Sequence, residues 1–112
     1  MAAPSTAAIF FLLVCGHALG DFALQTQWVA ANKERPKNTD KSSPVVWPHV
    51  LLAHSLHHGL IVYLITQSLY LGIAETIVHA VCDFCKGERF FGLHVDQGIH
   101  IASKVAWTLL AV

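Results

Sequence analysis

The sequence predicts an all-α protein in which four membrane-spanning helices surround a polar core. Of its 112 residues, 54% are hydrophobic and only 12% are charged, whereas charged residues form about a quarter of a typical soluble domain. Four apolar segments are each about as long as a bilayer crossing requires. They cover residues 7–31, 48–67, 69–86 and 94–112. Their polar side chains recur with helical spacing, which argues against strands, and helices satisfy every backbone group inside a bilayer.

The first half of the chain contains two of these segments and a polar connection. Residues 7–31 are almost entirely apolar as far as His17 and become amphipathic from there. Residues 32–47 contain two prolines and four basic residues, a composition typical of a loop. We place the start of the second segment at Pro48, because proline is favoured at the first position of a helix.

The second half of the chain contains the other two segments. A very short, uncharged connection over residues 68–72 separates the second segment from the third. A loop over residues 87–93 then leads into the fourth segment. This last segment presents Asp96, His100 and Lys104 at positions i, i+4 and i+8, so all three lie on one helix face.

The composition excludes several classes of protein. The formal net charge is zero, which gives no sign of the basic surface that nucleic-acid binding requires. Residues 1–112 are enough for one domain and too few for two. Three cysteines, an odd number, provide no disulfide framework. Cys82 and Cys85 form one CxxC at the end of the third segment, for which we favour ordinary helix packing over redox chemistry or metal binding.

Each of the four segments carries one pair of metal-binding side chains separated by one helical turn. Residues at i and i+4 lie on the same face of a helix, about 6 Å apart along its axis. An ionisable residue inside an apolar span is costly and therefore marks a functional site. The pairs are His17 and Asp21, His54 and His58, His79 and Asp83, and Asp96 and His100. We predict that all eight side chains meet in the core of the bundle.

The predicted core has an excess of negative charge that favours a metal site. Its three carboxylates are expected to have only Lys104 as a nearby fixed cation. Because unpaired buried charge is strongly destabilising, two divalent cations would neutralise this excess. Histidine and carboxylate ligands suit zinc, manganese or iron, whereas calcium and magnesium prefer oxygen ligands. We therefore predict two divalent transition-metal ions bound by the eight side chains.

Single residues in this set have simpler explanations. A lone buried histidine is most often a hydrogen-bonded core residue. Asp96 lies where the fourth segment begins and could serve as its N-cap. Asp83 could pair with Lys86 near the interface.

Three further polar residues, Glu75, His49 and His57, are less tied to the predicted site. Glu75 lies near the outer end of the third segment and is expected to be solvated. His49 is expected at the interface without a function. Either His57 or His58 could face the core, since both neighbour His54.

The chain resembles one known family. The stretches HALGDFALQ (17–25), AHSLHHGL (53–60) and HVDQGIH (94–100) are similar to small bacterial and phage membrane proteins catalogued as domain of unknown function 3307. This resemblance implies a multi-span protein of the bacterial inner membrane, without an established activity. HSLHHG is also remotely similar to a motif of inner-membrane metal-dependent hydrolases, although Ala53 stands where that motif has threonine. Paired HxxxD helices resemble the metal sites of the much longer cation-diffusion zinc transporters.

These observations favour a membrane-embedded metal-dependent hydrolase. Its substrate would be a phosphoester or lipid-like molecule at the cytoplasmic leaflet, attacked by metal-activated water. We assign Lys104 to stabilise charge on the substrate and His94 to line the opening beside it. Membrane lipid and metal ions are then the expected partners. The alternative is a small metal-ion or proton-coupled transporter working as a homo-oligomer; a haem-binding bundle is disfavoured because the histidines pair with carboxylates.

The basic residues predict an orientation in the membrane. Six of the seven lysines and arginines lie in the first and third loops, and the second loop has none. These six are Lys33, Arg35, Lys37, Lys41, Lys86 and Arg89. Because basic loops remain on the cytoplasmic side, we expect both of these loops in the cytoplasm and both termini outside.

Overall fold

The computed structural model describes residues 3–37 and 45–112, which form five α-helices and no strand. The helices are α1 (Thr6–Ala18), α2 (Gln27–Asn32), α3 (Trp47–Thr66), α4 (Leu69–Gly87) and α5 (Leu93–Ala111). A π-helical turn over Leu19–Ala23, called the π-turn below, continues α1, and a 3-10 turn over Arg35–Lys37 follows α2. The predicted all-α class is confirmed for these residues.

The three long helices α3, α4 and α5 lie within one residue of the second, third and fourth predicted segments. Pro48 occupies the first turn of α3, and this helix ends where Gln67 adopts a left-handed conformation with φ 58°. Ser68 then caps α4, because its side chain accepts a hydrogen bond from the backbone N–H of Leu71. The tight connection between α3 and α4 therefore follows from two residues with turn-forming geometry.

The first predicted segment is not one helix, so the prediction of a continuous helix over residues 7–31 is wrong. After α1, the N–H of Leu24 donates to the carbonyl of Leu19, five residues earlier and 2.8 Å away. This bond defines the π-turn. Thr26 then accepts a hydrogen bond from the N–H of Val29 and starts the separate helix α2. The helical path that contains Asp21 therefore ends at Ala23.

The predicted loop over residues 32–47 begins with buried residues, which its polar composition did not indicate. Asn32, Lys33 and Glu34 are buried, and the 3-10 turn that follows them is exposed. Residues 38–44, which include Lys41 and Pro44, lie outside the described residues. We call residues 33–37 the strap, because they cover one end of the bundle beside the C-terminus of α4.

Two helical stretches, Thr6–Ala23 and Trp47–Thr66, are long and apolar enough to cross a membrane. At 1.5 Å per residue, the 20 residues of α3 span about 30 Å, which matches the hydrocarbon core of a bilayer. Helices α4 and α5 carry buried charged residues and do not reach the same apolarity. The prediction of four spans therefore stays a prediction.

The interior of the bundle is divided into a polar and an apolar part. The apolar part lies where the N-terminus of α1 meets the C-termini of α3 and α5. Its buried members are Ile9, Leu13, Val62 and Leu71, with Ile65, Trp107 and Ala111 packed against them. We call this group the apolar end. The polar part contains the histidines and aspartates described below.

Helices α3 and α4 approach closely at Gly59. A Cβ atom added there would lie 1.9 Å from Thr76 Oγ1 and 2.7 Å from the carbonyl oxygen of Gly72. We expect Gly59→Ala to destabilise the protein by about 1–3 kcal/mol, because the two helices would have to separate. Thermal unfolding in detergent micelles measures this change.

Gly98→Ala is the matched control, since a Cβ atom there meets nothing within 4 Å. Alanine is preferred over glycine within helices by roughly 1 kcal/mol, so this variant is expected to match or exceed the stability of the natural protein. Equal stability of both alanine variants would contradict the close approach of α3 and α4.

Candidate metal centre

The structure brings all eight predicted ligands together inside the bundle. Each of them is at least 94% buried, and they come from α1, the π-turn, α3, α4 and α5. We call these eight residues the buried cluster: His17, Asp21, His54, His58, His79, Asp83, Asp96 and His100. The arrangement has two poles, one centred on Asp21 and the other on Asp83.

Asp21 is surrounded by imidazole rings. Its Oδ1 atom lies 3.1 Å from Nε2 of His54, 3.0 Å from Nε2 of His58 and 3.3 Å from Nε2 of His79. Its Oδ2 atom lies 3.5 Å from Nε2 of His17. Four histidines from three helices therefore direct the same ring nitrogen toward one carboxylate, and we call this arrangement the Asp21 pole.

The π-turn positions Asp21 for these contacts. Gly20, within the turn, packs directly on His58: a Cβ atom added to it would lie 2.6 Å from Cε1 of that ring. Gln25 donates a hydrogen bond of 2.9 Å to the backbone carbonyl of Asp21 and supports the end of the turn. Helical turns of this type occur frequently at functional sites.

The second pole lies around Asp83. Its Oδ1 atom is 3.3 Å from Nε2 of His100, and its Oδ2 atom is 3.4 Å from Nε2 of His79 and 3.5 Å from Nε2 of His54. Nε2 of His100 also lies 3.4 Å from Oδ1 of Asp96. His79 therefore stands between the poles and contacts both aspartates. We call this arrangement the Asp83 pole.

The contacts within the buried cluster have spacings that suit both hydrogen bonds and ligands to a common metal ion. The Nε2-to-carboxylate distances range from 3.0 to 3.5 Å. Ligand atoms at zinc-bond lengths on a tetrahedron are about 3.3 Å apart. In addition, Nε2 of His58 and both ring nitrogens of His79 make no hydrogen bond within the described part of the chain. Buried polar atoms are rarely left without a hydrogen-bond partner, and a metal ion would bind the Nε2 atoms.

Several sets of side chains within the described residues could each hold one ion. In every set the ligand atoms all lie within 4.8 Å of one another. The sets are His17, Asp21, His58 and His79; Asp21, His54, His79 and Asp83; Glu75, His79 and His100; and Cys82, Asp96 and His100. The first belongs to the Asp21 pole, and the second lies between the poles. Because the sets share members, they cannot all be filled at once.

Lys33 is the most important residue that the sequence did not indicate. Its Nζ atom donates to Oδ2 of Asp83 at 2.8 Å and lies 3.5 Å from Nε2 of His54. The alternative pairing of Asp83 with Lys86 is therefore wrong, and Lys86 instead contacts Glu34. The four basic residues of the predicted loop gave no indication that one of them turns inward.

The strap that carries Lys33 is held in place by ion pairs. Nε of Arg35 donates to Oε1 of Glu88 at 3.2 Å, and Glu34 contacts Lys37 at 3.1 Å and Lys86 at 3.6 Å. The hydrogen bond and charge of Glu88 raise the pKa of Arg35. Both predicted basic loops therefore meet at the same end of the bundle.

Glu75 is fully buried, so the expectation that it is solvated is wrong. Lys104 forms an ion pair with its Oε1 atom, and Nε1 of Trp107 donates to its Oε2 atom at 2.8 Å. Nδ1 of His79 lies 3.6 Å from Glu75. The charge of Lys104 is thus compensated by a partner that lies between the buried cluster and the apolar end.

Gln97 on α5 and Cys82 on α4 complete the polar interior, and one alternative for Asp96 is wrong. Gln97 donates hydrogen bonds of 3.1 Å to Asp21 and to Asp96 and lies 2.9 Å from Nε2 of His17. The Sγ atom of Cys82 donates to Oδ1 of Asp96 at 3.2 Å. The N-cap of α5 is Gly92, so the interpretation of Asp96 as the cap is wrong. Both Gln97 and Cys82 belong to motifs quoted above, but the predicted site left them out.

The remaining histidines lie outside the buried cluster. His58 is buried and faces the poles, whereas His57 is only partly buried, which resolves the alternative that the sequence left open. His94 is exposed at the start of α5, and His49 is exposed near the start of α3. The roles assigned to His94 and Lys104 in catalysis stay predictions.

A groove of about 330 Å³ reaches the buried cluster at His54. It lies between the stretch that follows the π-turn, including α2, on one side and α3 on the other. Its lining is Leu24, Gln25, Trp28, Val29, His49, Val50, Ala53, His54 and His57. Neither His94 nor Lys104 belongs to this lining, so the opening predicted beside those two residues does not coincide with it. Only His54 is shared between the groove and the buried cluster.

Comparison with known proteins gives one match. A family model described as "Protein of unknown function (DUF3307)" covers residues 9–112. No curated protein and no solved structure matches the chain. The remote similarity to metal-dependent hydrolases therefore stays a prediction.

Proposed function

We propose, for a chain that belongs to the DUF3307 family, that the buried cluster is a divalent metal centre in a membrane-embedded hydrolase. Membership of the family confirms the resemblance drawn from the sequence and brings no activity with it. The proposal rests on one observation above all. Five imidazole Nε2 atoms surround two aspartates at distances typical of ligands to a common metal ion.

The distribution of side chains supports a location in the membrane. Among the described residues, those that are buried are mostly polar or charged, whereas large hydrophobic side chains dominate the exposed set. Phe11, Phe22, Leu64 and Leu109 are each more than half exposed. This arrangement is unfavourable in water and favourable in lipid, where ionisable residues face the bundle interior. We place the polar part in the cytoplasmic half of a bacterial inner membrane.

The charge of the interior supports metal binding over a purely structural polar core. Among the described residues, the buried Glu34 is paired with Lys37 and Lys86 in the strap. The other four buried carboxylates face two buried lysines, with the histidines counted as neutral. The carboxylates are Asp21, Glu75, Asp83 and Asp96, and the lysines are Lys33 and Lys104. An uncompensated excess of two negative charges is strongly unfavourable inside a protein. Zinc, manganese or iron would remove it.

The groove beside the Asp21 pole supports an amphiphilic substrate. Its volume is at the lower limit of typical ligand cavities, and Leu24, Trp28 and Val50 make much of its wall apolar. We propose that the tail of a lipid-like phosphoester lies along this wall while its phosphate reaches His54. A divalent ion at the Asp21 pole would supply a Lewis acid and a water of lowered pKa. Hydrolysis would add one water across the P–O ester bond and release an alcohol together with a phosphomonoester or inorganic phosphate.

The apolar end argues against the alternative of a transporter. Transport needs a polar route to both faces of the membrane, but Ile9, Leu13 and Val62 close the bundle beyond the Glu75–Lys104 pair. A polar interior that is closed at one end suits a reaction whose substrate enters and leaves on the same side of the membrane. We therefore rank hydrolysis first.

Metal analysis of protein purified without a histidine tag tests the proposed centre. We expect at least one zinc, manganese or iron ion per chain in the natural protein. His79→Ala is expected to lower this content severalfold, because His79 belongs to three of the four ligand sets. His49→Ala is the control and is expected to keep the content, since that ring is exposed and outside the buried cluster. Folded protein free of metal under all conditions would refute the centre.

Two parallel assays then distinguish hydrolysis from transport. The natural protein in lipid vesicles is incubated with phosphodiester and phosphomonoester lipids in the presence of manganese or zinc, and uptake of the same ions into sealed vesicles is measured. We expect ester cleavage that His79→Ala abolishes. Ion uptake without cleavage of any ester would reverse the ranking.

A further inference from the structure

We propose that Lys33 is a built-in cation that replaces the second metal ion at the Asp83 pole. This inference rests on the proposed metal centre and deepens it. The sequence alone predicts two ions because Lys104 is the only cation expected nearby. With Lys33 inside, the site holds one ion at the Asp21 pole and an ammonium group at the Asp83 pole.

The position of the ammonium group is the first argument. Nζ of Lys33 lies 2.8 Å from Oδ2 of Asp83 and 3.5 Å from Nε2 of His54. Both Asp83 and His54 belong to the ligand set between the two poles. The members of that set are Asp21, His54, His79 and Asp83. An ion bound there at about 2.0–2.2 Å from the same oxygen would be close to the ammonium group and strongly repelled by it. Lys33 and a second ion therefore exclude one another.

The charge of the interior is the second argument. Apart from Glu34, which is paired with Lys37 and Lys86 in the strap, the described residues include four buried carboxylates. Counted against Lys33 and Lys104, these four leave an excess of two negative charges inside the bundle. One divalent ion neutralises this excess, and a second would produce an equal positive excess. Without the charge of Lys33 the excess is three, which leaves room for a second ion.

The strap is the third argument, because it keeps Lys33 in place. Arg35 is bound to Glu88, and Glu34 is bound to Lys86 and Lys37. The side chain of Lys33 itself is 95% buried. The single ion is then held by the ligand set that includes neither His54 nor Asp83, the two residues that contact Lys33. This set is His17, Asp21, His58 and His79.

Metal stoichiometry in Lys33 variants tests the inference. The full chain is purified without a tag in detergent, saturated with zinc or with manganese, freed of loosely bound ions and analysed for metal per chain. We expect one ion in the natural protein and two in Lys33→Met, which keeps the length of the side chain without its charge. Lys33→Arg retains the charge and is expected to bind one ion. Lys37→Met is the matched control on the exposed side of the strap and is expected to bind one.

The outcomes separate this inference from the proposed function. Two tightly bound ions in the natural protein, or one ion in both the natural protein and Lys33→Met, would overturn the role of Lys33 while the metal centre stands. Absence of metal from the natural protein would contradict both the role of Lys33 and the proposed metal centre. If Lys33→Met does not fold, titration of the natural protein still decides the question, because a single saturable site is required.

Discussion

Replacement of Asp21 by asparagine is expected to weaken metal binding by at least about 100-fold. Loss of a group that merely supports a metal ligand lowers metal affinity 10–100-fold, and Asp21 is in direct reach of the ion. Its Oδ1 atom lies within 3.3 Å of Nε2 atoms from three histidines. Asparagine preserves the shape of the side chain but removes its charge. Competition with a chromophoric chelator in detergent measures the affinity, and phosphoester cleavage is expected to fall in parallel.

Glu88→Gln is the matched control for this experiment. It makes the same chemical change in a carboxylate that binds Arg35 outside the buried cluster. We expect an affinity within about twofold of the natural protein. Unchanged metal binding in Asp21→Asn would show that the Asp21 pole is a hydrogen-bonded structural core, and the proposed centre would have to be abandoned.

Removal of the positive charge of Lys104 is expected to destabilise the protein by about 3–5 kcal/mol, since it leaves a buried carboxylate without its partner. Glu75 is fully buried and Lys104 is 99% buried. Lys104→Met is therefore expected to lower the midpoint of thermal unfolding in detergent strongly. The double variant Glu75→Gln/Lys104→Met is expected to recover most of the loss, because the buried charge is gone and Trp107 keeps an acceptor.

The double variant also tests the catalytic role predicted for Lys104. If this lysine stabilises charge on the substrate, the double variant recovers stability but not activity. If its role is to balance the charge of Glu75, the stability and the activity of the double variant recover together. A single variant Lys104→Met as stable as the natural protein would contradict the buried ion pair itself.

The helical periodicity of the sequence was sufficient to predict the eight members of the buried cluster. Pairs such as His79 and Asp83 depend only on the helical turn that separates them, which is a local property of the chain. Their convergence followed from the cost of burying ionisable residues in apolar segments. The bounds of α3, α4 and α5 were predictable for a similar reason, because Pro48 and the short uncharged connection over residues 68–72 mark helix ends.

The features that the sequence did not predict depend on contacts between distant residues. Lys33 and Asp83 are 50 positions apart, and their pairing requires the chain to turn back after α2. Glu75 was assigned to solvent because of its place in the segment, whereas Lys104 and Trp107 on another helix enclose it. The π-turn has no distinctive residue type, since it arises from a shift of one hydrogen bond at Leu24. These are tertiary effects, and local spacing contains no information about them.

The π-turn makes the length of the stretch from His17 to Gln25 more important than most of its residue identities. A π-turn contains one residue more than an α-turn, and each residue contributes about 100° of rotation around a helix axis. Loss or gain of a single residue there would rotate Asp21 away from the histidines of α3 and α4. Leu19 and Phe22 face outward, at 45% and 62% exposure, and can be exchanged for other apolar residues. We therefore expect substitutions in this stretch to disturb the buried cluster less than an insertion or deletion between His17 and Asp21.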